Sequence, residues 1–98
     1  MTYEEEKAEL IQQAEAILNQ AENADTALKV LRDYNRWYTQ AVTLVRFHAK
    51  VRLAEFEVKH GENQKILSGK TPDLHNFQVN LIVQIAIIEG SRERHILA

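Results

Sequence analysis

The first sixty residues contain neither glycine nor proline. Both residue types interrupt regular structure, so their absence over such a length leaves long helices as the natural product of a periodic sequence. Gly61, Gly69, Pro72 and Gly90 all come later. The one polar gap before them is "NQAENAD" at 19–25, where Asn23 or Asp25 can cap a new helix.

Within that frame, apolar residues recur at helical spacing. Thr2 followed by Glu5 is a capping box, and Glu4 to Glu6 suit the positive end of a helix dipole. Tyr3, Leu10, Ala14, Ile17, Leu18 and Ala21 then fall on one side. A second helix begins near Asp25. Val30, Leu31, Tyr34, Trp37, Tyr38, Ala41, Leu44 and Val45 fill one broad arc of it, and Lys29, Arg32, Asp33, Arg36 and Thr43 fill the opposite one. The stretch "RDYNRWYTQA" at 32–41 mixes arginine with aromatics in sequence, but helical pitch separates them in space.

Near residue 46 the pattern changes phase. Phe47, Val51, Ala54 and Val58 form a new stripe on what had been the charged side. Either the helix breaks around "RFHAKVR", or one long helix presents its halves to different neighbours. With no glycine or proline to force a break, the sequence favours a continuous or gently bent helix, the bend near residues 46–50. An unbroken helix of about 35 residues would be about 50 Å long at 1.5 Å per residue. It would overhang the rest of the chain and place the second stripe at a subunit contact. His60-Gly61 reads as its stop and "ENQKILSGKT" as a loop. Thr71-Pro72 reads as N-cap and first residue of a last helix, with Leu74, Phe77, Leu81, Ile85 and Ile88 along one face and Gly90 at its end. The alternation Val79, Leu81, Val83, Ile85, Ile87 also permits a strand.

A length of 98 residues suits a single helical domain over 1–98 with a thin core. The chain has no cysteine, which removes disulfides, thiol chemistry and thiolate metal sites, and is compatible with a cytoplasmic setting. Met1 leads into the acidic "TYEEEK" rather than a signal peptide. "VNLIVQIAII" at 79–88 is too short to span a membrane. The net charge of −2 is unevenly placed. Residues 1–25 carry seven acids against one lysine, residues 26–70 nine bases against four acids, and residues 71–98 two bases against three acids. Such segregation favours an acidic element lying along a basic one.

Sites of chemistry are few. Glu57 and His60 form a Glu-x-x-His pair, but a helical di-metal centre needs a second pair and two more carboxylates. Ser68 and Ser91 have neither a glycine elbow nor an adjacent base. "SGKT" at 68–71 lacks the first glycine and the preceding strand of a phosphate loop. Arg92 and His95 are too closely spaced for the arginine–histidine motif of HEPN ribonucleases. No catalytic, cofactor-binding or metal-binding residue is assigned. Lys29, Arg32 and Arg36 share a face and could contact phosphates; the plainer reading pairs them with Glu9, Glu15 and Glu22.

The pattern Tyr34-x-x-Trp37-Tyr38-x-x-Ala41, followed by Arg46, Arg52 and Phe56, resembles the N-terminal helical region of bacterial abortive-infection (phage-defence) proteins that often carry a HEPN-like C-terminal domain. Phe77-Gln78 resembles the start of a later helix there. The resemblance covers about residues 28–60, and more loosely 74–98. "HAKVR" stands where that family has a leucine-proline-aspartate-arginine turn, and its catalytic domain has no counterpart. The resemblance therefore implies an accessory or assembly role.

The expectation is an all-α antiparallel bundle of three main helices with a long middle helix. Its core is Leu10, Ile17, Leu31, Tyr34, Trp37, Tyr38, Ala41, Val45, Leu81, Ile85 and Ile88. The expected function is a non-enzymatic helical interaction module that homodimerises, or meets a helical partner, through Phe47, Val51, Ala54 and Val58. The alternative is a small nucleic-acid-binding protein using Lys29, Arg32 and Arg36.

Overall fold

A computed structural model describes residues 1–22 and 24–94. Among them there are four α-helices and no strand: α1 (Tyr3–Gln20), α2 (Ala27–His48), α3 (Leu53–Leu67) and α4 (Leu74–Glu89). Short 3₁₀ turns at Ala24–Thr26 and Lys50–Arg52 precede α2 and α3. The expected count of three main helices is therefore corrected to four, because the long middle helix is a hairpin.

The contacts set each helix antiparallel to the next. Trp37 Nε1 donates to the Leu10 carbonyl at 2.8 Å, while Tyr3 meets His48 at the other end of the α1–α2 pair. Tyr38 stacks on His60, and Gln64 Nε2 donates to Asn35 Oδ1. Asn80 faces Asn63, and Gln84 Nε2 reaches the Phe56 carbonyl at 3.1 Å. Gln78 reaches the Leu18 and Ala21 carbonyls, and Lys7 the Ser91 carbonyl. This is an up-down-up-down four-helix bundle, with α1 and α3 on opposite corners.

Thr2 caps α1, its Oγ1 accepting from Glu5 N at 3.2 Å. Asp73, not Thr71, caps α4 by accepting from Asn76 N at 3.1 Å, so Pro72 lies just outside the helix. The α1–α2 connection uses Ala24–Thr26 as a 3₁₀ turn, and Asn23 lies outside the described residues. Residues 79–88 are helical, which excludes the strand alternative.

Two tertiary effects overrule the expected long helix. Ala49 leaves helical geometry at φ −146°, ψ 43°. The His48 carbonyl accepts from Arg92 N at 3.2 Å, and the His48 ring lies 4.4 Å from that of Tyr3. The end of α2 is thus completed by other parts of the chain rather than by its own continuation. Folding back also buries Phe56 and Leu67, at 0% and 2% exposure. Each such side chain is worth about 1.5–3 kcal/mol that a straight helix would forfeit. The same burial overrules the stop at Gly61: α3 runs through it, because Asn63 and Leu67 beyond it belong to the interior.

Most of the expected core is buried: Leu10, Ile17, Tyr34, Trp37, Ala41, Val45, Leu81, Ile85 and Ile88. Leu31 and Tyr38 are half-buried against it.

Candidate protein-interaction site

The four residues expected at a subunit contact are all exposed, but they do not form one stripe. Phe47 sits in the last turn of α2, three turns (about 3.6 residues each) beyond Arg36, and so shares the basic outer face of α2. Val51 lies in the corner turn and is 89% exposed. Ala54 and Val58 lie on the outer side of α3, opposite the face that Phe56, Asn63 and Leu67 bury. The hairpin separates what a straight helix would have aligned.

A second exposed apolar surface lies on α4. On the neighbouring helix α4, Val79 and Ile82 are 44% and 54% exposed, Ala86 is exposed and Val83 is half-buried. Successive positions three and four apart bring these four side chains onto the outer side of α4. The helix carries no charged residue between Leu74 and Ile88, with His75 its one titratable side chain before Glu89. A surface helix normally turns charge to water, and a helix apolar on all sides is normally covered on all sides. In this chain only the inner side of α4 is covered.

The basic residues behave differently from the expectation. Lys29, Arg32 and Arg36 are exposed on α2. Lys29 donates to Gln20 Oε1 at 3.2 Å and to Asp33 Oδ2 at 3.3 Å. Arg36 and Asp33 line a shallow cleft between α1 and α2, with Gln13 and Trp37. The anticipated pairing with Glu9, Glu15 and Glu22 does not form. The ion pairs among the described residues are local ones within helices or turns, Lys29–Asp33, Arg52–Glu55 and Lys59–Glu62. Acidic α1 and basic α2 therefore keep their charges on the surface.

Beneath the apolar face lies a polar network that the apolar pattern concealed. The Tyr34 hydroxyl, fully buried, donates to Gln84 Oε1 at 2.9 Å and accepts from Asn63 Nδ2 at 3.1 Å. Its single proton is thereby used, so the His60 Nδ1 at 3.4 Å is placed as a second donor to it. Asn63 Oδ1 accepts from Asn80 Nδ2 at 3.1 Å. Among the described residues no buried side-chain polar atom lacks a partner. Burial holds the Tyr34 hydroxyl well above its ordinary range, against the lowering effect of Asn63 and Gln84, so it is a fixed neutral strut rather than an acid. Burial also raises Tyr38, assisted by the charge of Glu57, and lowers His60, which stacks on Tyr38 with ring centroids 3.5 Å apart. The network ties α2, α3 and α4 into one register. Its sequence signal was present: Asn80 and Gln84 interrupt the apolar run one helical turn apart, as two polar residues on one interior face do.

The remaining candidates have structural duties. His60 is turned inward while Glu57 is exposed, and no three His, Asp or Glu residues stand together as a metal site among the described residues. Ser68 Oγ donates to the Gln64 carbonyl at 2.7 Å at the end of α3, which places "SGKT" in a turn after a helix. Ser91 is buried, bonded to the Tyr3 hydroxyl and to the Ile88 carbonyl. Of the Arg92–His95 pair, His95 lies outside the described residues. No helix is long and apolar enough to cross a membrane, among the described residues.

No protein-family model, curated protein or solved structure matches the chain.

Proposed function

We propose that this chain is a non-enzymatic helical interaction module that pairs with a second copy of itself through the outer face of α3 and α4. The observation that carries the reading is the uncharged, apolar outer side of α4, with Ala54 and Val58 also exposed on α3. Exposed apolar faces of this kind mark association surfaces. A second copy is the favoured occupant because a two-fold axis sets the same patch of both copies face to face. Charged faces repel themselves in that arrangement; the outer side of α4 has no charge to do so. The resemblance of the Tyr34–Phe56 pattern supports a role as an accessory or regulatory component of a cytoplasmic bacterial phage-defence system.

Analytical ultracentrifugation over a wide concentration range tests the pairing. The wild-type chain is expected as a dimer, and Ile82→Glu and Val58→Glu each as a folded monomer. A wild-type chain that stays monomeric at the highest concentration refutes self-association.

One observation favours a second reading, nucleic-acid binding along α2: Arg32 and Arg36 have no ion-pair partner among the described residues. Under it, binding to generic RNA would weaken steeply with salt and vanish in Arg32→Glu/Arg36→Glu. Asp33, set among these bases, weighs against it.

A further inference from the structure

At the corner where α2 turns into α3, the chain forms a cleft of about 270 Å³ that none of the duties above explains. Its apolar lining includes Val51 and Ile87, and His48, Arg52, Arg92 and Arg94 also line it. The three arginines come from two separate stretches, the corner turn and the segment after α4, which the fold brings to one rim. Among the described residues no acidic side chain lines it. Arg52 is bound by Glu55 in a fork, with nitrogen–oxygen distances of 3.1–3.3 Å. Arg92 and Arg94 have no ion-pair partner among the described residues. His48 Nδ1 accepts the backbone N–H of Arg94 at 3.0 Å, so the neutral ring carries its proton on Nε2.

We infer that this cleft is a binding site for a carboxylate carried on a small apolar body, such as an arylalkanoate. Two unpaired guanidinium groups supply the planar, bidentate donors that match a carboxylate, and the Arg52–Glu55 fork shows that pairing at the same rim. Val51, 89% exposed, supplies the apolar contact above the buried Ile87. The volume fits a ligand of side-chain size and lies below the range of about 300–1,000 Å³ usual for drug-sized ligands and cofactors. Nucleic acid is the less favoured anion. The Tyr3–His48 contact places the acidic first turn of α1, with Glu4, Glu5 and Glu6, at the same end of the bundle, where it opposes a long polyanion but leaves room for one carboxylate. A purely structural account also exists: α2 and α4 both end near this corner, and cations suit helix C-termini. That account requires the arginines but no ligand, which makes the two separable.

The test is titration of the intact chain, isotopically labelled, with phenylacetate, followed through its backbone amide resonances in low salt. Saturable shifts are expected at Ala49, Val51, Arg52, Ile87 and Gly90. Neutral phenylacetamide and plain acetate are each expected to bind at least about tenfold more weakly, since each lacks one half of the recognition. Arg92→Ala/Arg94→Ala should weaken phenylacetate by about tenfold or more, and Val51→Asp should abolish binding, both with the fold retained by circular dichroism. Equal shifts from phenylacetamide, or shifts spread along Lys29–Arg36, would overturn the proposal. So would a double variant that loses thermal stability while wild type shows no saturable binding; the arginines would then serve the helix ends alone. A single-stranded RNA oligomer that displaces phenylacetate from the cleft would replace the carboxylate with a polyanion and also overturn it.

Discussion

Replacing Tyr34 with phenylalanine removes one oxygen atom and should cost this protein more than most core truncations of that size. The hydroxyl is fully buried and serves Gln84 Oε1, Asn63 Nδ2 and His60 Nδ1 at once. Without it, Gln84 keeps its donation to the Phe56 carbonyl and Asn63 keeps its acceptance from Asn80. What is orphaned is one acceptor on Gln84 and one donor on Asn63, both on side chains with 0% exposure, and the donor of half-buried His60, which water can reach. Each buried unsatisfied group costs about 1–3 kcal/mol. Direct pairing of Gln84 with Asn63 across the space left behind would recover about 1 kcal/mol. The expected net loss is therefore about 1–5 kcal/mol. For a domain of this length, with each kcal/mol shifting Tm by about 4–8 °C, that is a fall on the order of 4–40 °C. Urea denaturation followed by circular dichroism measures it, provided the transitions are two-state. A double-mutant cycle with Gln84→Met sharpens the result. If orphaning is the mechanism, the double variant is less destabilised than the sum of the singles, because the stranded acceptor is gone. A Tyr34→Phe variant within about 0.5 kcal/mol of wild type would refute the reasoning.

Gly61→Ala should stabilise α3 by roughly 0.5–1 kcal/mol, since a β-carbon there meets nothing within 4 Å and the residue is helical and exposed; an unchanged or lowered urea midpoint would count against it. His60 gives a pH signature. Burial lowers its folded pKa below the ordinary value of 6.5, so the unfolded chain takes up the proton first and stability falls as pH drops from about that value through the lowered pKa. Replacing His60 with glutamine should flatten Tm against pH in that window. Trp37→Phe removes the Nε1 bond to the Leu10 carbonyl and some interior volume, and should cost about 1–3 kcal/mol in chemical denaturation, with α1 as the first element to loosen in hydrogen exchange.

The uneven legibility of the helices has a physical cause. α1 and α2 bury faces made almost wholly of apolar residues, so Leu10, Ile17, Tyr34, Trp37 and Ala41 could be assigned to the interior from spacing alone. α3 buries Asn63 and half-buries His60, while Val51 and Val58 stand in solvent. An apolar pattern therefore points to the wrong side of that helix, and the phase change near residue 46 reads as a long helix changing neighbours. The fold's actual device is a reversal at Ala49, forced by contacts from Tyr3 and Arg92 that lie far away in the chain.

The sequence by itself determined that the chain is helical, where α1 begins, and which face of α2 is interior. Those properties follow from local energetics: a cap, a dipole, a repeat of about 3.6 residues. Tertiary structure alone decided that residues 49–52 are a corner, that Gly61 lies within a helix, that Asn63, Asn80 and Gln84 share one network, and that three arginines ring one cleft. Each of these depends on groups distant in sequence, whose desolvation is favourable only when all of them arrive together.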